Sequence, residues 1–483
     1  MTKAQTGAKA ELRSAEPMKV ARWLVGSAYE GPWGRSSLIS VGHAPWVFDP
    51  VRGWTPTTDR KLDQDLMKRL EDLQIVVKVD RETGEKKYRS FAAREGTYRG
   101  KIQDVRECLK SLVEMPTTNM PFWREAKWGD PDPDRCIVFQ NTVLSVGEGG
   151  IEGLERDDRF VTPCTLPFDY EPDAECPRWM QCLKEWSGNE PGWAELLQRW
   201  WGYILMSDRS LSRWMYMHGK VRGGKGLNLR LASRVLSGHP NYVEMNLEEL
   251  TEQFGLDGLR DARVMGVPEI NAMGRERGEV AGREIKRFLG GDMSRVNTKY
   301  GGIEHGVRIN PAPWICGNEM LLVSNSGEGL SSKMLPLSFR VSFLNRENVR
   351  LEEELWEEMP GILAWAVEGA IKLWAAEPQD RWPMPESSEA LRRRFRLFNN
   401  PLEQFMETMF VRSDSGSVVR ERVLRLWEEF RKENRISTHI PTNQLLSRIE
   451  QDTSWSVWKG DRDGAPILRG VSIRKRGARV TDI

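Results

Sequence analysis

Residues Gly219 to Gly226 read GKVRGGKG, a run able to hold a phosphate. Glycines allow a tight turn whose backbone N–H groups curl around an anion, and a following helix adds its N-terminal dipole. A lysine closing that turn reaches the outer phosphates of a nucleotide. Gly219, Gly223, Gly224 and Lys225 satisfy the pattern G-x-x-x-x-G-K-[ST]. The last position departs from it, because Gly226 stands where a hydroxyl would meet Mg2+. The plainer alternative is a tight surface loop with a solvated lysine.

Two further groups extend this chemistry. Glu269 closes the apolar run RVMGVPEIN, and an acid at the C-terminal edge of a strand sits where α/β sheets bind ligands. It could polarise water, or hold magnesium through water. Asn318 closes PWICGNEM, where an amide can sense a γ-phosphate or orient water. Either could equally be a solvated or turn-capping residue. Between them, SRVNTKY, GG and IEHGVRI predict a β-hairpin carrying Lys299, Tyr300 and His305. A basic, aromatic tip can grip a nucleic-acid backbone, and an exposed hairpin with ordinary polar dressing is the competing reading.

These residues need a scaffold of alternating strands and helices. SRWMYMHG predicts a strand, and LNLRLASRVLSG a helix closed by Gly238. DARVMGVPEIN and APWICGNE predict two more strands, with GREIKRFLGG a short helix between them. That rhythm implies an α/β nucleotide-binding core over residues 191–376. Upstream, residues 1–17 are expected to be a flexible tail, and 18–190 an N-terminal α+β or helical accessory domain. Downstream, 377–483 ends in helices RERVLRLWEEFRKEN and PTNQLLSRIEQ, then a strand pair around DRDG. Helices followed by a hairpin suggest a winged-helix-like module.

Bulk properties narrow the field. The 483 residues suffice for several domains, and 39% hydrophobic with 29% charged residues describes a core-forming chain. A net charge of +1 excludes global attraction to DNA, so any basic surface must be local. Most of the 20 tryptophans are expected in cores. The six cysteines form no C-x-x-C pair, and Cys164, Cys176 and Cys182 lack zinc-ribbon spacing. The expectation is reduced thiols, no membrane span and a cytoplasmic setting in a bacterial cell or phage-infected host.

The ordered set resembles the superfamily 3 helicases of the phage and plasmid primase type, AAA+-like DNA motors. Three signatures carry the resemblance: GKVRGGKG, RVMGVPEIN followed by EIKRFLGGDMSRVNTKY, and PWICGNEM. Flanking similarity extends it to about residues 120–430. It implies an AAA+-like P-loop core binding ATP and Mg2+, a homo-hexameric ring, and single-stranded or forked DNA in its channel. Gly219, Gly223, Gly224, Lys225 and Gly226 would hold the nucleotide, and Glu269 the metal through water. Glu269, Asn318 and Lys333 would be catalytic, and Lys299, Tyr300 and His305 would line the channel. Lys333, in GLSSKMLPLSF, stands where the family has an arginine acting on the neighbouring subunit's γ-phosphate. Lysine keeps the charge and loses the planar fork; Arg340 is the substitute if the register slips.

A primase centre is not expected. Asp63 and Asp65 in KLDQDL suit a helix face with no histidine beside them, so priming or initiation would fall to a separate protein. The reading is therefore an ATP-dependent helicase replicating a phage, plasmid or integrated mobile element. The alternative is an ATP-switched initiator or loader that recognises an origin and unwinds weakly.

Overall fold

The computed structural model describes residues 11–92, 98–117, 119–236, 241–270, 275–298, 302–323, 327–434, 436, 440–462 and 465–474. The chain divides into two compact units, one of residues 1–147 and 151–170, the other of 148–150 and 171–483.

The first unit mixes helices and small sheets. Helices Pro17–Ser27, Asp59–Leu70 and Tyr98–Leu112 bury Val20, Leu24, Leu62, Leu66, Ile102 and Leu109 together. Within the stretch expected to be a tail, Glu11–Leu12 pairs in parallel with Gln74–Val79. Asp63 and Asp65 do lie on a helix, Asp63 bonded to Arg106 and Asp65 to Arg69 and Tyr29. Elsewhere the fully buried Asp158 binds Arg35 and faces Arg124, so its charge is matched inside the fold.

The second unit is built on a five-stranded sheet. Its order is Tyr242–Glu244, Val264–Val267, Ala312–Gly317, Trp214–Gly219 and Met334–Phe339, and all neighbours run parallel. Ala312–Gly317 and Val264–Val267 are buried at every residue, which explains why they read as continuous apolar runs rather than alternating ones. Two of these strands, Tyr242–Glu244 and Met334–Phe339, went unassigned in the sequence. The first is only three residues long, and Pro336 weakens the strand signal of the second; proline is tolerated there because the strand is at the sheet edge.

Tryptophans fill the layer beside the sheet. Trp193–Leu205 is buried along nearly its whole length and crosses Met359–Ala375. A Cβ on Gly202 would lie 2.3 Å from the backbone nitrogen of Ala370, so only glycine lets these helices meet. Trp200 and Trp201 both meet Trp314 edge-on.

The hairpin forms from Met293–Thr298 and Gly302–Arg308. Lys299 and Tyr300 lie outside the described residues, as does the side chain of His305, whose backbone is in the return strand. At the C-terminal end, helix Pro401–Met409, strand Phe410–Val419, helices Arg420–Glu433 and Leu445–Asp452, and strands Trp458–Arg462 and Ala465–Ile473 follow in order. The last strand lies between the other two. Strand Phe410–Val419 was not foreseen; its DSGS centre carries turn-forming residues that mask a strand signal. Among the described residues no helix is long and apolar enough to cross a membrane.

Candidate functional site

The glycine-rich loop leaves the C-terminal end of Trp214–Gly219 and enters helix Lys225–Val235. Two glycines are compelled by geometry. Gly219 has φ of +143°, and a Cβ there would lie 2.1 Å from the Phe339 carbonyl oxygen. Gly224 has φ of +103°, and its Cβ would lie 2.6 Å from Nε1 of Trp186. Both conformations are strained for any other residue.

Parallel strands put their C-terminal ends at one edge. Asn318 directly follows Ala312–Gly317, and Glu269 lies two residues beyond Val264–Val267. Each therefore sits just outside its strand rather than within it. Both line one cavity of about 400 Å³ together with Gly223, Gly224, Lys225 and Gly226. Gly219 forms the base of the loop that rims it. So the residues named for nucleotide, water and phosphate sensing converge, from strands far apart in sequence.

Lys225 is buried, and its Nζ donates to the carbonyls of Gly219 at 2.8 Å and Lys220 at 2.6 Å, and to Oδ1 of Asn318 at 2.9 Å. Burial pushes this ammonium below its ordinary range, while Cys316 and Glu269 pull the other way. His218, one residue before the loop, is pushed down to about 4 by burial, with Arg394 and Lys225 adding repulsion.

The remaining walls come from elements outside the expected site. Arg178, Glu185 and Trp186 come from helix Pro177–Ser187, and Phe343, Arg346, Glu347, Asn348 and Leu351 from the segment after the edge strand. Arg222 and Arg230 complete the lining, giving five cations (Arg178, Arg222, Lys225, Arg230, Arg346) against three carboxylates (Glu185, Glu269, Glu347). That excess suits a polyanion such as a triphosphate. Arg222 and Arg230 were legible in principle, lying within and one turn beyond the loop. Trp186 and Phe343 carry no local signal, because only tertiary folding brings them near.

The donors present do not fit a magnesium ion held by the loop. Gly226 offers no oxygen donor, and a Cβ on it would lie 3.4 Å from Nη1 of Arg230. Magnesium held at Glu269 through water thus lacks a second ligand from the loop.

Lys333 stands elsewhere. It ends helix Gly327–Lys333, and Trp214 is in register with Met334, so Lys333 is at the N-terminal edge of the sheet. The six residues of Met334–Phe339 separate it from the loop edge by roughly 20 Å at ~3.3 Å per residue. Its Nζ donates to the Leu289 carbonyl at 3.3 Å. Arg340 is exposed and follows Phe339, which is in register with Gly219, so it belongs to the loop edge.

In the C-terminal module, helix Leu445–Asp452 buries Leu445, Leu446 and Ile449 and turns Arg448 and Gln451 outward, with Asn443 and Gln444 just before it. Lys459, from the adjacent strand, donates to Oγ of Ser447 at 3.0 Å, and Trp458 is 46% exposed.

No family model matches the chain. It is 25% identical over 146 residues to an uncharacterized mitochondrial protein, ymf21, of Marchantia polymorpha, spanning 28% of this chain and 79% of that one. Among solved structures it is similar to the apo C-terminal region of NrS-1. One such structure has a TM-score of 0.48 at 12% identity, covering 95% of this chain and all of that one. An A-form structure has a TM-score of 0.45 at 11% identity, covering 88% and 93%.

Proposed function

We propose that this chain is an ATP-dependent DNA helicase of the superfamily 3 type, working as a homo-hexameric ring in replication of a phage, plasmid or mobile element. The observation that carries this is the convergence of Lys225, Glu269 and Asn318 on one cavity at the C-terminal edge of the parallel sheet. The strand order supports an AAA+-like P-loop core, since the loop strand lies between the asparagine strand and the edge strand that follows Lys333. In this reading Lys225 and the loop amides bind ATP phosphates. Glu269 orients and activates the attacking water. Asn318 reports the γ-phosphate, and Lys333 serves the cavity of a neighbouring copy. Lys299, Tyr300 and His305 grip the DNA strand.

DNA-stimulated ATPase and strand unwinding, measured for the unmodified chain and for Lys225→Ala, test this. Unwinding that Lys225→Ala abolishes is the expected result. An unmodified chain that unwinds nothing and turns over no faster than Lys225→Ala would refute it.

A second reading, an ATP-switched initiator or loader, is favoured by the C-terminal module. Its element order and sheet order support a winged helix, with Leu445–Asp452 as the reading helix. Arginine and amide side chains facing outward are the types that read base edges. A separate protein would then supply priming and unwinding.

A further inference from the structure

Arg230 lies beside Gly226 at the rim of the cavity. Arg230 follows it by four positions, so the two share one face of helix Lys225–Val235. Helical side chains lean toward the N-terminus, which aims Arg230 back at the loop. Its Nη1 is 3.4 Å from where a Cβ of residue 226 would be, and the residue lines the cavity. That is ordinary contact distance, so the guanidinium lies directly beside the position where a phosphate loop carries its hydroxyl.

The other partner of Arg230 is Glu352, whose carboxylate accepts from Nε at 2.6 Å. The arginine side chain is 56% exposed and the glutamate 32%, and an ion pair so open to water holds weakly. Binding Glu352 through Nε leaves the outer guanidinium edge for a phosphate, which it can grip through two parallel N–H donors. Arg234, one turn further, is engaged differently: it pairs with Glu353 and lies over the Trp356 ring at 3.9 Å.

We propose that Arg230 replaces the metal-bearing hydroxyl of a phosphate loop, its guanidinium binding the outer phosphates so that nucleotide is held without a loop-coordinated metal. This rests on the cavity being a nucleotide site. Glu352 acts as the keeper of Arg230, holding it beside the loop and competing with phosphate for it.

The test is titration of the full chain with a fluorescent ATP analogue (MANT-ATP), followed by anisotropy, in EDTA and in magnesium buffer. The unmodified chain should bind in EDTA within about threefold of its magnesium affinity. Arg230→Ala should weaken EDTA binding by about tenfold or more. Glu352→Gln, which removes the competitor and keeps the shape, should tighten it. Gly226→Ser combined with Arg230→Ala should restore binding in magnesium and not in EDTA. The inference is overturned if the unmodified chain loses binding in EDTA and Arg230→Ala matches it in both buffers. If Lys225→Ala binds as well as the unmodified chain, the nucleotide-site reading itself has failed, which is a separate outcome.

Discussion

Lys225 donates to Oδ1 of Asn318 at 2.9 Å, so a phosphate entering the loop must part the cation from the amide. Asn318→Ala removes the amide and leaves Lys225 its two carbonyl acceptors. Nucleotide binding should stay within a few-fold, while turnover falls by about a hundredfold, the scale of one lost polar contact at a developing charge. Equilibrium binding and steady-state ATPase on the same preparation separate the two effects.

Trp186 closes over the loop at Gly224. Gly224→Ala would force both a positive φ on a residue with a Cβ and a clash with the indole. It should lower unfolding stability by ~1–3 kcal/mol and abolish nucleotide binding. Trp186 is buried, so Trp186→Ala also destabilises on its own, and the crowding should show as coupling: in urea unfolding the double variant should lose less than the two single losses added together.

His218 predicts a pH response. Its native imidazole stays neutral down to about 4, whereas an unfolded histidine takes a proton near ~6.5. Between those values the unfolded chain binds more protons, so this contribution is fully present above pH ~6.5 and is lost as pH falls toward 4. His218→Gln should flatten the stability profile across that window by ~1–3 kcal/mol. Denaturant midpoints at a series of pH values would show it.

Lys333 lies across the sheet from the loop of its own chain. Lys333→Ala should lower turnover only where copies assemble, with nucleotide binding intact. Lys333→Arg should raise turnover, since a planar fork replaces a point charge. Arg340→Ala should leave this neighbour-dependent step unaltered, because Arg340 belongs to the loop edge. An ATPase loss from Arg340→Ala that is restored by mixing with Lys225→Ala subunits would reverse the assignment.

The exposed residues of Leu445–Asp452 give a prediction for DNA. Arg448→Ala and Gln451→Ala should each cost ~1–3 kcal/mol of discrimination against a wrong base. Neither should alter basal ATPase. Binding to a selected site and to random duplex at one stated salt concentration checks this.

Much of the site was legible because its chemistry is local. The loop is a contiguous run, and Glu269 and Asn318 each follow an apolar strand that parallel burial makes conspicuous. Trp186, Arg178 and Phe343 were not, since nothing in their neighbours' spacing hints that they wall the cavity. Strands Met334–Phe339 and Phe410–Val419 escaped for a related reason: an internal proline and a DSGS centre speak for turns, and tertiary pairing overrides them. Lys299 and Tyr300 stay a matter of sequence, as they lie outside the described residues.

The register of Met334–Phe339 against Trp214–Gly219 has one more consequence. In the proposed ring, a sheet that keeps Lys333 and Lys225 at opposite edges would split responsibility between copies. A chain crippled in its loop can still lend Lys333 next door, and a chain lacking Lys333 can still fire if its neighbour is whole. Mixing the two defective chains should therefore recover junctions that neither pure population contains, which would make the boundary between copies, rather than the polypeptide, the working unit.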